Sequence, residues 1–366
     1  MVHSATDILI IGGGIIGLLT AKFLSEEGHK VTLLERKQPA QESSWAGGGI
    51  LSPLYPWRYP DSVNQLAQWG HQYYPTLANS LRQQTHIDPE YYQTGLLIAA
   101  PDEIDQAQTW AEKFGHSIGI LDESETLCCE PRLKKPDPAT IWLPDVANIR
   151  NPRLGQSLIK SVALSGVNII PDTEVTQIVQ SQGRITEVRT TNHTYSASQY
   201  LVAAGAWSST LLKNILPDFP VYPMKGQMIL FKTKPGEIKR MLLKEDRYII
   251  PRKDGHTLFG STLERVGFDK ATSPTTKTEL ASIAQDWFPV LKTAPIVKHW
   301  AGLRPASPEG IPTIAQHPEI KNLFINAGHF RNGVILGAAS AQLMSNLILS
   351  QTPIIDPTPY EIAPTL

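Results

Sequence analysis

The chain has 366 residues, 41% hydrophobic and 18% charged, with a formal net charge of −1. That length exceeds what one ordinary core fills, so two domains are expected. The near-zero charge gives no electrostatic reason to bind nucleic acid or anionic lipid, and no apolar run reaches the ~20 residues that span a bilayer.

The start, MVHSATD, leads into an apolar run at residues 8–11 without the basic region of a secretory signal, so cytoplasm is the expected compartment. Gly12-Gly13-Gly14-Ile15-Ile16-Gly17 follows, then an amphipathic stretch, a second apolar run at 31–34, and Glu35. This order reads as strand, tight turn, helix, strand, acid. Gly12 permits the turn, Gly14 lets a pyrophosphate approach the backbone, and Gly17 lets the helix pack on the sheet. The helix N-terminus offers free N–H groups and a positive dipole end to phosphates. Glu35 is spaced to accept hydrogen bonds from ribose hydroxyls. A dinucleotide site is predicted.

Residues 38–50, QPAQESSWAGGGI, predict a second small-residue loop beside the cofactor. Prolines at 53, 56 and 60 make 51–60 irregular. Val63, Leu66, Ala67, Gly70, Tyr74, Leu77 and Leu81 have helical spacing across 61–85. A strand is expected over 92–100, a helix over 101–114 and loop over 130–145, where Pro131, Pro136, Pro138 and Pro144 recur. A helix over 152–165 and a strand over 167–170 follow. Residues 175–179 and 185–190 form a predicted hairpin around Gln182-Gly183. A short strand at 200–204 ends in Gly205-Ala206-Trp207-Ser208. Residues 221–265 read as an antiparallel sheet with a turn at Lys253-Asp254-Gly255. A helix over 277–291, a strand over 323–326 and an apolar helix over 336–349 complete the chain.

The expected class is α/β with an α+β substrate part: a Rossmann-like βαβ cofactor domain interleaved with an antiparallel-sheet domain. The cofactor domain is assigned residues 1–85, 146–220 and 321–366, and the substrate domain 86–145 and 221–320. Cys128 and Cys129 are the only cysteines. No disulfide framework is expected, because neighbouring cysteines rarely bridge without strain. No zinc spacing and no HExxH occur, so no metal is expected.

Six segments carry a family resemblance: GGGIIG at 12–17, SSWAGGGILSP at 43–53, VAAGAWS at 202–208, YIIPRKDG at 248–255, WAGLRP at 300–305 and AGHFRNGVIL at 327–336. In this order they resemble the D-amino-acid oxidase family of FAD-dependent amine oxidoreductases. WAGLRP and AGHFRNG resemble its glycine oxidase branch, which serves thiamine biosynthesis.

The resemblance implies FAD rather than NAD, and the chain agrees in having one dinucleotide fingerprint and no second GxGxxG. Beside Gly12, Gly14 and Gly17, the implied cofactor contacts are Ile15, Ile16, Glu35, Arg36, Ser43, Ser44, Gly48, Gly49, Ile50, Val175, Gly205, His329, Phe330, Arg331, Asn332, Gly333, Val334 and Ile335. No cysteine follows Cys129, and Ala46 rather than His follows Trp45, so non-covalent FAD is expected.

The resemblance gives the substrate to Arg304, Tyr248 and Arg331. A guanidinium fork matches a carboxylate's two oxygens, which suits Arg304 to an α-carboxylate. Leu263 stands where the best-known member of that branch has Met lining the substrate pocket, and Ile50 replaces its Met in the AGGGI loop, which bears on the choice among glycine, sarcosine and small D-amino acids. Direct hydride loss from Cα needs no general base, and none is nominated. His71, His256 and His299 show no partner in the sequence.

The activity implied is oxidative deamination of glycine and other small amines with O2. Its alternatives are a D-amino-acid or sarcosine oxidase or dehydrogenase, and more remotely a non-catalytic flavoprotein subunit or an RNA-modifying module. A small amino acid and O2 are the expected partners, with a homo-oligomer, a tetramer by resemblance.

Overall fold

The computed structural model describes residues 6–362. A six-stranded sheet runs in the order Thr313–Gln316, Leu323–Ala327, Ala197–Val202, Thr6–Ile11, Val31–Leu34, Asn168–Ile170. All neighbours are parallel except the edge pair of Thr313–Gln316 with Leu323–Ala327. Parallel strands are buried on both faces, which is why residues 8–11 read as an unbroken apolar run. Ile8, Ile10 and Leu33 turn to one face, against Leu18, Leu19, Leu66, Leu158 and Leu336 of the helices Ile15–Glu26, Asp61–Thr85, Asn151–Leu164 and Gly333–Ile348. Leu9, Ile11 and Leu34 turn to the other, against Val188 and Tyr195 of a small antiparallel sheet. That sheet contains the predicted hairpin, with Gln182 and Gly183 both at positive φ (52° and 71°).

An eight-stranded sheet runs in the order Ile296–Ala306, Tyr222–Lys232, His256–Gly260, Arg247–Pro251, Met241–Lys244, Leu96–Ala99, Thr140–Leu143, Gly119–Leu121. It is antiparallel apart from the parallel pair Met241–Lys244 with Leu96–Ala99. One face packs Phe231, Ile249 and Phe259 on Leu280 and Ala284 of the helix Pro274–Trp287. The other packs Leu96, Ile98 and Ile250 with Trp110 of the helix Ile104–Phe114.

Two expectations differ from what is found, at residues 130–145 and at Thr313–Gln316, and one strand was not foreseen. Residues 130–145 are not all loop, because Thr140–Leu143 pairs on both sides within the larger sheet. Pro138 and Pro144 bracket that strand without interrupting it. Ile296–Ala306, which holds WAGLRP, is an eleven-residue strand. It lies at the sheet edge, where Pro305 removes no interior ladder bond. Thr313–Gln316 falls inside the 221–320 assignment, yet its hydrogen bonds go to Leu323–Ala327 of the six-stranded sheet.

The Gly-rich turn sits at the carboxyl end of Thr6–Ile11, which pairs with Val31–Leu34 on one side and Ala197–Val202 on the other. The chain order reverses there, and open α/β sheets bind ligands at such a switch point.

Candidate functional site: a cleft from the glycine turn to two arginines

The turn after Thr6–Ile11 is tightly enclosed. Gly12 has φ 115°, and a Cβ there would lie 2.4 Å from the Ala203 carbonyl oxygen. A Cβ on Gly17 would lie 2.0 Å from the Gly12 carbonyl oxygen, so Gly17 brings the helix onto its own entry turn. Gly14 caps the helix without a side chain. One helix donor is met from elsewhere, Ile15 N by Ser44 Oγ at 2.8 Å, and in the turn before the helix Gly13 N donates to Glu35 Oε2 at 2.8 Å. Glu35 Oε1 accepts from Lys37 N at 3.0 Å. A carboxylate has about four lone-pair sites, so two protein bonds leave Glu35 capacity for ribose hydroxyls.

Beyond Glu35, the Arg36 guanidinium lies 3.6 Å over the Trp207 ring and pairs with Glu42 at 3.0 Å. Trp207 stacks on Phe268 with centroids 5.4 Å apart. Trp207 and Glu42 were absent from the sequence-based contacts, although Trp207 lies within VAAGAWS.

The second glycine loop is anchored by Arg252, also absent from those contacts. Arg252 is buried and donates to Gly48 O at 2.6 Å, Asn148 Oδ1 at 2.5 Å and Ile149 O at 3.0 Å. Burial, then Arg150, pulls it down to about 10, so it stays charged at neutral pH. A Cβ on Gly48 would lie 2.7 Å from Ile250 Cδ1, and one on Gly49 2.1 Å from the Ile149 carbonyl oxygen.

At the far end, Arg304 projects from the edge strand over Gly226, where a Cβ would lie 2.1 Å from Nη1. Its Nη2 donates to Ser261 Oγ at 2.5 Å and its Nη1 to Thr262 O at 3.3 Å. No carboxylate among the described residues pairs with it. Burial lowers its pKa, which Tyr248 opposes and Arg331 reinforces. The buried Tyr248 hydroxyl is 3.3 Å from Ser261 Oγ and 3.8 Å from Met228 Sδ. Arg331 is 3.7 Å from the exposed Asp246. Tyr55, whose hydroxyl donates to Glu245 O at 2.5 Å, is pushed up to about 12 by burial against the lowering effect of Arg58.

His329 also reaches the cleft. Burial pushes it down to about 3, and its Nε2 sits 2.7 Å from Ser340 Oγ, which donates to Asn326 Oδ1 at 2.7 Å. It is a neutral, tethered ring at working pH.

One cavity of about 850 Å³ joins these parts. It is lined by Gly12, Gly14, Ile15, Ile16, Glu35, Arg36, Ser43, Ser44, Gly48, Gly49, Ile50, Val175 and Gly205, and at the other end by Tyr248, Arg304, His329, Phe330, Arg331, Gly333 and Val334. Four sequence-predicted residues do not line it. Gly17 faces Gly12, while Asn332 and Ile335 are buried behind the wall. Leu263 is 50% exposed. Thr262 Oγ1 and Glu264 Oε1 turn inward to Gln227 N and Nε2, so alternation turns Leu263 outward. Gly12, Gly48 and Gly49 wall the cavity where a Cβ would have no room, and its volume and lining fit a dinucleotide with a small acid beside it.

A family model described as FAD dependent oxidoreductase matches residues 7–347. The chain belongs to the FAD dependent oxidoreductase family. Within it, the chain is 43% identical to the glycine oxidase of Pseudomonas putida, over 97% of each protein. It is 31% identical to the bifunctional protein ThiO/ThiG of Trichormus variabilis, covering 94% of this chain and 53% of that protein. The crystal structure of glycine oxidase from Geobacillus kaustophilus superposes with a TM-score of 0.94 at 26% identity, covering 100% of both chains. The cofactor of this FAD dependent oxidoreductase is therefore FAD.

Among the described residues no helix is long and apolar enough to cross a membrane, and no group of three His, Cys, Asp or Glu is placed to hold a metal ion.

Proposed function

We propose that the chain oxidises glycine and similarly small amines: glycine, O2 and water become glyoxylate, ammonia and hydrogen peroxide. The observation that carries this reading is Arg304 beside the dinucleotide cleft, its guanidinium held only by neutral acceptors. A charge so held keeps its affinity for an incoming carboxylate, because no protein carboxylate has to be displaced.

FAD, bound without a covalent link, supplies the two-electron acceptor. Gly12 to Ile16 and the helix end hold its pyrophosphate, Glu35 the ribose and Arg36 with Val175 the adenine side. Gly48, Gly49, Ile50, His329, Phe330, Arg331, Gly333 and Val334 would shape the other end. Arg304 and Tyr248 fix the substrate carboxylate, and Arg331 adds positive charge beside it. The protein's part is orientation and electrostatics, with no side chain required as a base.

The two sheets support the interleaved domain division, with the strand Thr313–Gln316 moved to the cofactor part. A homo-oligomer serving thiazole formation in thiamine biosynthesis is part of this proposal, supported by the sequence resemblance and by a relative that bears the ThiO name; the cytoplasm is proposed as its compartment.

The test is a panel of glycine, sarcosine, D-alanine and D-proline, with peroxide detection and stopped-flow reoxidation of the yellow protein. Glycine turnover with fast reoxidation by oxygen is expected. Peroxide from D-amino acids but not glycine, or slow reoxidation, overturns the reading.

A further inference from the structure

Residues 261–273 connect the strand His256–Gly260 to the helix Pro274–Trp287 and are rooted on the strand Tyr222–Lys232 of the eight-stranded sheet. Lys225 and Glu264 exchange backbone hydrogen bonds at 2.9 Å. The buried Lys225 ammonium lies 3.3 Å from the Glu264 carboxylate and 3.5 Å from that of Asp269. Gln227 N donates to Thr262 Oγ1 at 2.9 Å, and Ser273 N donates to Gln227 Oε1 at 3.1 Å. Both ends of the segment are therefore tied to Lys225 and Gln227.

From this segment two side chains cross to the part of the molecule that carries the glycine turn. Phe268 stacks on Trp207, with centroids 5.4 Å and ring planes 25° apart. Lys270 Nζ donates to Glu42 Oε2 at 2.8 Å. Glu42 Oε1 accepts from Arg36 Nη2 at 3.0 Å, and the Arg36 guanidinium lies 3.6 Å over the Trp207 ring. The contacts close a ring through Phe268, Trp207, Arg36, Glu42 and Lys270. Arg36, Glu42 and Trp207 line the cavity beside Glu35, whereas Phe268 and Lys270 stand behind them. Phe268 is 44% exposed and packs in neither core of its own sheet, so burial there does not explain its position.

We propose that Phe268 and Lys270 are positioning residues for FAD: they form a clasp that holds Trp207, Arg36 and Glu42 in the cavity wall and slows release of the cofactor. For a cofactor held without a covalent link, contacts of this kind act chiefly on the dissociation rate. The two arms of the clasp differ in kind. The aromatic pair is insensitive to salt, whereas the half-exposed ion pair is screened by it. The inference stands on the cofactor alone, whichever amine is oxidised.

The test is the rate of FAD release from diluted holoenzyme, read by flavin fluorescence, with Tm as a control. Phe268→Ala raises the rate about three- to tenfold at low and high salt alike, the scale of one aromatic pair. Lys270→Ala raises it about two- to fivefold at low salt and less than about twofold at about 1 M salt, where screening has already loosened the pair. Phe268→Tyr and Lys270→Arg keep the parent rate to within about twofold. Val266, 45% exposed on the same segment, is the control, and Val266→Ala leaves the rate unchanged. In a Trp207→Ala background, Phe268→Ala adds less than about twofold, because its partner ring is gone. Release unchanged by Phe268→Ala, or by Lys270→Ala at low salt, overturns the clasp. So does an equal rise with Val266→Ala, or a Phe268→Ala effect that persists in full without Trp207. The assay needs no turnover, so it decides the clasp even where the glycine reading fails.

Discussion

Arg304 is buried enough for its charge to be disfavoured, yet its partners are a serine hydroxyl and a backbone carbonyl. An arginine meant only for structure would gain more from a carboxylate. Truncation to alanine removes both the charge and the fork. Loss of a buried charge-assisted contact costs ~2–5 kcal/mol, so Arg304→Ala should raise glycine KM by about 30-fold or more. Flavin absorbance should persist, since the glycine turn and Glu35 lie at the other end of the cleft. Steady-state kinetics on flavin-replete protein checks this, and an unchanged KM would show that the carboxylate is held elsewhere. Arg304→Lys should recover little, because an ammonium is a point charge without the bidentate geometry.

At the scale of elements, the site depends on register between the edge strand Ile296–Ala306 and Tyr222–Lys232. Gly226 and Gly302 face each other across that ladder. One makes room for the Arg304 guanidinium, the other for Ala46 of the second glycine loop. Gly226→Ala places a Cβ 2.1 Å from Arg304 Nη1, the far end of a flexible side chain. The arginine therefore moves while the sheet stays paired. Glycine KM should rise at least tenfold with Tm lowered by only a few degrees, as about 1 kcal/mol would produce. Kinetics and thermal unfolding together check this; wild-type KM would mean that Arg304 does not need this seat.

This seat was not legible in the sequence. The βαβ unit and the Gln182-Gly183 hairpin were, because their signals are local: glycines at a turn, apolar runs, alternation. The edge strand was not. Gly302 and Pro305 carry no local strand signal, and only pairing with a segment some seventy residues earlier makes them a strand. Arg252 and Ser261 were hidden for the same reason, since what they touch comes from distant parts of the chain.

For the whole molecule, the cleft lies where the two sheets meet, and groups buried there set a dependence on pH. His329 is neutral in the folded protein, pushed down to about 3 from the usual 6.5, because burial disfavours the charged ring. Its folded pKa is the lower one. Above about 6.5 both folded and unfolded chains carry it neutral, so its contribution to stability is fully present. As pH falls from about 6.5 to about 3, the unfolded chain takes up a proton that the folded chain refuses, and stability is lost through that window. His116, pushed down to about 4 by burial and then His71, acts in the same direction. Glutamine at 329 keeps an amide donor for Ser340 and does not titrate. Below about pH 6, His329→Gln should therefore lose stability with falling pH less steeply than the parent chain, by up to one proton or ~1.4 kcal/mol per pH unit. The comparison is urea midpoints at saturating FAD from pH 7 to pH 4. Parallel slopes would mean that the ring takes its proton without leaving the fold, and that the Ser340–Asn326 tether yields to admit the charge.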